Sequence, residues 1–192
     1  MKTLRFKVVG TQPLMLNNNQ TVNPFNHYAK KLKEFTSKRK KTEEDMLALY
    51  GLQFESSLYL ASDGKTYIIP ADHFWKSICT AAKEVKLGKK FEQSFQIFDD
   101  CVLDFPEKNL SPSELYEESS HVDIRVGTIM GKSKVPVCRA IFNEWKTEVV
   151  CHFDETQIDE KDVIKIFEIA GLRYGVGTYR KRFGKFSSKN IR

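Results

Sequence analysis

Two segments of helical spacing, residues 71–86 and 159–170, each stand between segments of strand-like alternation, and that order limits what this chain of 192 residues can fold into. In the first, Phe74, Ile78, Ala81, Ala82 and Val85 recur at helical intervals; in the second, Val163, Ile166, Phe167 and Ala170 do the same. Asp72 and Asp159 are the expected N-caps. Gly88 and Gly171 are the expected stops. Residues 3–9 alternate Leu4, Phe6 and Val8 with Thr3, Arg5 and Lys7, and residues 145–153 place Trp145, Thr147, Val149, Cys151 and Phe153 on one face. Residues 96–103 and 183–188 also read as strands. The resulting order is β-α-β-β-α-β.

That order belongs to the ferredoxin-like (RRM-like) α+β fold, in which one antiparallel sheet carries both helices on one face. The other face would be open to a ligand. The length suits one domain with room for insertions, here at about 17–60 and 106–144. In the first insertion, residues 17–30 read as an irregular polar loop. A basic segment from Lys30 to Lys41 follows, with seven Lys or Arg, Lys38, Arg39 and Lys40 among them, and one Glu. A helix opens at Thr42, where Asp45 completes an approximate capping box, and Gly51 reads as its stop. Residues 57–60 and 67–69 read as short strands around an Asp63-Gly64 turn. In the second insertion, an acidic connection over 107–120 leads to a hairpin. Its arms, 122–129 and 134–142, turn at Gly131-Lys132-Ser133, and it carries Arg125, Lys132, Lys134 and Arg139.

The C-terminal segment carries most of the functional signal. Four of the ten glycines fall between Gly171 and Gly184, and from Gly171 onward there are seven Lys or Arg and no Asp or Glu. Glycine permits positive φ and close backbone approach, and successive exposed N–H groups make a concave anion site. Gly175 and Gly177 would shape such a loop. Arg173, Arg180, Lys181, Arg182 and Lys185 add charge, and Tyr174, Tyr179 and Phe183 offer stacking faces. The combination suits a phosphodiester strand. A net charge of +6 favours polyanionic partners without establishing one. The plainer alternatives are a tight helix-to-strand turn for the glycines and a solvated helix or disordered arm for residues 30–41.

Three stretches in this order resemble the RAMP superfamily (repeat-associated mysterious proteins) of CRISPR systems. Gly171-Leu-Arg-Tyr-Gly175-Val-Gly177, followed by Arg182-Phe-Gly184-Lys-Phe186, is similar to that superfamily's glycine-rich loop. Tyr67-Ile-Ile-Pro70-Ala-Asp-His-Phe-Trp-Lys76 resembles the entry to the first helix of the crRNA-binding backbone subunits, although His73, Phe74 and Trp75 stand where small residues are usual. The hairpin over 122–142 resembles the backbone "thumb" in its position. The resemblance implies a single RAMP-like domain over residues 1–192, binding to RNA, and self-association along the strand or contact with other CRISPR-like subunits, in a cellular or phage setting.

Catalysis has less support. His27, near Tyr28 and Lys30, is the first candidate for a general base in metal-independent RNA cleavage. His73, His121 and His152 are scattered. Cys79, Cys101, Cys138 and Cys151 form no Cys-x-x-Cys pair and read as buried free thiols. Asp99-Asp100 and Asp154-Glu155 would point to opposite faces of a strand. The expectation is no metal, no cofactor and no membrane partner. No apolar run approaches the ~20 residues of a bilayer span, and the start lacks a signal-peptide stretch, so a cytoplasmic location is expected. Three readings stay open: a non-catalytic binder of single-stranded RNA or DNA, a metal-independent endoribonuclease, and a protein-interaction module mimicking a CRISPR subunit.

Overall fold

The computed structural model describes residues 1–129 and 133–191. In chain order the elements are β1 (Lys2–Gly10), β2 (Leu14–Met15), α1 (His27–Thr36), α2 (Glu43–Ser57), β3 (Ile68–Ile69), α3 (Ala71–Glu84), α4 (Gly88–Ser94), β4 (Phe95–Gln96), β5 (Cys101–Val102), α5 (Pro112–Glu117), β6 (Val122–Ile129), β7 (Ser133–Phe142), β8 (Lys146–Phe153), α6 (Glu160–Ile169) and β9 (Phe186–Asn190). The chain is α+β, as the alternation requires. It forms two compact units. The first holds Met1–Met15, Leu60–Lys108 and Asn143–Arg192; the second holds Leu16–Tyr59 and Asn109–Phe142.

The first unit is built on a four-stranded sheet in the order β4-β8-β1-β9. Every neighbouring pair is antiparallel, with Phe6 opposite Val149 on one side and Asn190 on the other. Leu4, Phe6, Val8, Val149, Cys151 and Phe153 are buried on one face. Phe6 stacks on Phe167 of α6 at 3.8 Å, and Phe74 of α3 meets Phe186 of β9 edge-on at 5.6 Å. Each such buried ring contributes on the order of 2–3 kcal/mol. Thr3, Arg5 and Lys7 point to the opposite, exposed face.

Several boundaries differ from the sequence reading. Asp72 does not cap α3. Pro70 holds the N-cap position without a side-chain acceptor, and Asp100 Oδ1 accepts the Ala71 N–H at 2.8 Å instead. Gly88 does not end α3, which stops at Glu84; Lys86 takes a φ of 61° and Gly88 opens α4. A Cβ at Gly88 would lie 2.5 Å from Lys83 Cγ, so the glycine serves a close approach. The strand read over 96–103 is two pieces, β4 on β8 and β5 on β3. Residues 57–60 form no strand: α2 ends at Ser57, and a single bridge joins Leu60 to Tyr67. Asp159 occupies the N-cap of α6 but makes no capping hydrogen bond. Gly171 is no stop either, because α6 continues as a π-turn (Ala170–Tyr174) that ends at Gly175, φ 68°. The last strand runs Phe186–Asn190, three residues later than its predicted start.

In the second unit, residues 17–30 are not irregular. A 3-10 turn (Asn19–Val22) is capped by Asn18, and α1 is capped by Asn26, whose side chain accepts the Tyr28 N–H at 2.8 Å. The Thr42/Asp45 capping box is formed. Gly51 does not stop α2, which runs on to Ser57; a Cβ there would sit 3.5 Å from the Tyr116 ring, an ordinary contact. The acidic connection contains α5, held by a Ser111/Glu114 capping box. β6 and β7 pair antiparallel, Val122 opposite Ala140, and residues 130–132 lie outside the described residues. Side chains of α2 fasten β7: Gln53 Oε1 accepts the Cys138 N–H at 2.9 Å, and Ser57 Oγ accepts the Ala140 N–H at 3.0 Å.

Candidate nucleic-acid interface

The glycine-rich segment joins α6 to β9 within the first unit. Gly175, Gly177 and Gly184 all have positive φ, at 68°, 78° and 70°. The amides expected to face an anion are committed to the protein. Gly175 N–H donates to Ala170 O (2.8 Å), Val176 N–H to Gly184 O (2.9 Å), Thr178 N–H to Met15 O (2.8 Å) and Gly184 N–H to Pro13 O (2.7 Å). The Arg182 and Phe183 amides both donate to Tyr179 O. The expected cradle of free amides is therefore corrected for these six. The glycines serve backbone-to-backbone approach: a Cβ at Gly184 would lie 1.9 Å from Val176 O, and one at Gly177 2.4 Å from Met15 O. Phe183 is buried and serves packing.

The basic side chains of the segment divide between two places. Arg173 pairs with Glu84 at the C-terminal end of α3, and Tyr174 donates its hydroxyl to the same carboxylate at 2.6 Å. That hydrogen bond, then burial, pushes the Tyr174 hydroxyl above its ordinary range. Lys185 Nζ donates to Arg173 O. Arg180 instead acts on His73, near the N-terminal end of α3. His73 is held below its ordinary 6.5 first by burial, then by Arg180, with Lys76 adding to the effect and Asp72 and Asp100 opposing it. Glu84 lies eleven residues beyond His73 on α3, about 16 Å along the axis. Burial, then the charge of Arg180, holds Lys185 below its ordinary value. Lys181 and Arg182 are exposed, Arg182 over the edge of the core at 5.8 Å from the Phe183 ring, and Tyr179 is exposed too.

The open sheet face adds residues that sequence reasoning did not assign to the site. Lys7 stands opposite Lys189 on β9 and Glu148 on β8. Beside them is a cavity of about 570 Å³ lined by Lys7, Val102, Asp104, Lys108, Lys146 and Glu148. Lys108 and Lys146 sit 2.7 and 3.1 Å from the Asp104 carboxylate and hold it below the usual carboxylate range. The alternation of residues 3–9 was the signal that could have found Arg5 and Lys7, since a half-buried strand must send every second side chain outward.

In the second unit, Lys38 pairs with Asp45 at 2.6 Å, whereas Arg39, Lys40 and Lys134 are exposed. Arg125 grips Asp123 through Nε and Nη2, and Arg139 Nε donates to Asn17 Oδ1 at 2.9 Å. Lys132 lies outside the described residues. His27 is exposed on the first turn of α1, its ring 4.7 Å from Tyr28. Burial and Glu55 raise the Tyr28 hydroxyl, which makes it a poorer proton donor. All four cysteines are buried, and burial pushes each thiol up to about 12. Among the described residues, no three His, Cys, Asp or Glu gather as a metal site, and no helix is long and apolar enough to cross a membrane.

No family model matches this chain, and no curated protein matches it in sequence. Among solved structures, it is similar to a chain of the cryo-EM structure of the Type III-B Cmr-beta bound to cognate target RNA. The TM-score is 0.51 and the identity 15%. The likeness is one of fold. It covers 100% of this chain but only 61% of the other.

Proposed function

We propose that this chain binds single-stranded RNA, without cleaving it, as a RAMP-like subunit of a CRISPR-type ribonucleoprotein. The observation that carries this reading is the surface left by the C-terminal segment. Lys181, Arg182 and Lys189 are exposed, Arg180 and Lys185 stand near them in sequence, and the segment has no acidic residue to offset them. The fold likeness to a chain from an RNA-bound Cmr assembly supports RNA over other polyanions. The chain is read as one RAMP-like domain whose two insertions form the second unit, with Arg39, Lys40 and Lys134 following the phosphates there.

In this reading the glycines hold the segment's path, and the cations, not the amides, meet the strand. Phosphate contacts position a strand without reading its bases, so sequence preference is low. If Arg180, Lys181, Arg182, Lys185 and Lys189 each neutralise one phosphate, the slope of log affinity against log salt reaches about −3.5. Fluorescence anisotropy with single-stranded RNA, single-stranded DNA and duplex tests this. The expected result is salt-sensitive binding in which single-stranded RNA leads. Equal affinity for duplex, or no dependence on salt, contradicts it.

A further inference from the structure

The exposed face of the sheet ends, at the Thr3 end of β1, in an aromatic pair that no core contact requires. Phe98, just past β4, is 64% exposed. One side of its ring is covered by His152 of β8, centroids 5.1 Å apart and planes 40° apart. His152 is itself fixed: its Nδ1 lies 3.0 Å from Thr3 Oγ1 on β1, and Gln96 is its register partner on β4. The imidazole is thus a braced support, and most of the Phe98 surface is left open to solvent.

Beyond the pair, the outward row of β1 carries cations. Arg5 is the next outward side chain on β1 after Thr3, one step of about 7 Å along the strand. Lys7 follows, with Lys189 across from it on β9. Glu148 is the acid opposite Lys7. It reaches Arg5 only at 3.5 Å, with both side chains 57% exposed, so solvent screens the pair and Arg5 can turn to another partner. Asp99 and Asp100 are both exposed beside Phe98, with Asp100 Oδ1 accepting the Ala71 N–H. A nucleotide has a flat π-surface and an anion within one unit, which matches a stacking ring followed by Arg5 and Lys7. An apolar peptide segment would cover the ring but strip water from both cations without replacing it.

We propose that Phe98, backed by His152, is a stacking platform for one nucleobase of a bound single strand, with Arg5 meeting the adjoining phosphate. The proposal rests on the RNA-binding reading and assigns it a base-contacting subsite. That subsite stands at the opposite end of β1 from the glycine segment, about 24 Å along the strand from Gly10.

The test uses the full chain with Phe98→Ala, Phe98→Trp and a Lys181→Ala/Arg182→Ala double variant. The probes are a fluorescein-labelled twelve-residue oligoadenylate and an abasic ribose-phosphate strand of the same length. Base–aromatic stacking of usual strength predicts that Phe98→Ala weakens oligoadenylate binding by about 5-fold or more and leaves the abasic strand unchanged. Phe98→Trp retains affinity, and its added emission is quenched by oligoadenylate. If Phe98→Ala stays within 2-fold of the parent while the double variant loses affinity, the platform is overturned and RNA binding stands. Equal loss on both probes also overturns it, since the ring would then matter for something other than a base. A parent protein that binds neither probe overturns the RNA-binding reading itself.

Discussion

Glycine and arginine sit side by side in the C-terminal segment and do different work. At Gly184 a methyl group would meet Val176 O at 1.9 Å with φ at 70°, and at Gly177 it would meet Met15 O at 2.4 Å with φ at 78°. Backbone strain and a clash with main-chain atoms act together there. Gly184→Ala and Gly177→Ala should each lower stability by about 3 kcal/mol or more in chemical denaturation. Lys181→Ala and Arg182→Ala, on exposed side chains, should leave the denaturation midpoint in place while weakening RNA binding. His73 supplies a second residue-scale prediction. Its folded pKa is depressed below 6.5, so the unfolded chain binds the proton more readily. The stability it contributes is present above about pH 6.5 and is lost as pH falls toward the folded pKa. Thermal melts of the parent should therefore decline between pH 7 and 5.5, and His73→Gln should flatten that decline. A parent curve that rises on acidification through that window contradicts the sign. Phosphate bound near Arg180 would favour the charged imidazole, so an NMR titration should show the His73 pKa raised by RNA.

Among the elements, β7 shows how a helix can complete a strand. Gln53 and Ser57 of α2 accept the Cys138 and Ala140 amides. Gln53→Ala leaves the Cys138 N–H without its acceptor and should cost about 1–3 kcal/mol, with faster amide exchange at Cys138 than elsewhere in β7. Unchanged exchange there would show that water replaces the glutamine at no cost. Local signals of this scale were readable in advance: the Thr42/Asp45 box caps α2 because both partners lie within one turn. The cap of α3 was not readable, because its acceptor, Asp100, arrives 29 residues later from a loop. The start of α1 was hidden because its cap, Asn26, closes an asparagine-rich stretch that resembles a loop in composition. Gly88 and Gly171 were misread as helix stops for a related reason. Gly88 is crowded by Lys83 of the preceding helix, and Gly171 by Phe186 O from the following strand, a neighbour that leaves no trace in the local sequence. The positive φ of the glycine segment was legible, but the carbonyls of Pro13 and Met15 that use up its amides were not.

For the whole molecule, the net charge of +6 matters through where it is left uncompensated. Arg173, Lys38 and Arg125 are held by Glu84, Asp45 and Asp123, and Lys108 and Lys146 share Asp104. Exposed cations outside these pairs include Lys181, Arg182 and Lys189 of the C-terminal segment, Lys7 on the outward row of the sheet, and Arg39, Lys40 and Lys134 in the second unit. Sequence alone identified the C-terminal segment by its lack of acids; the outward row required the register that sets Lys7 beside Lys189. The most direct test of RNA binding through these side chains is fluorescence anisotropy with a single-stranded RNA across a salt series, comparing the parent with a Lys181→Ala/Arg182→Ala/Lys189→Ala variant. The account predicts weaker binding by the variant and a log–log salt slope shallower by about 2, at an unchanged denaturation midpoint. Identical affinity and identical slope for the two proteins would contradict it.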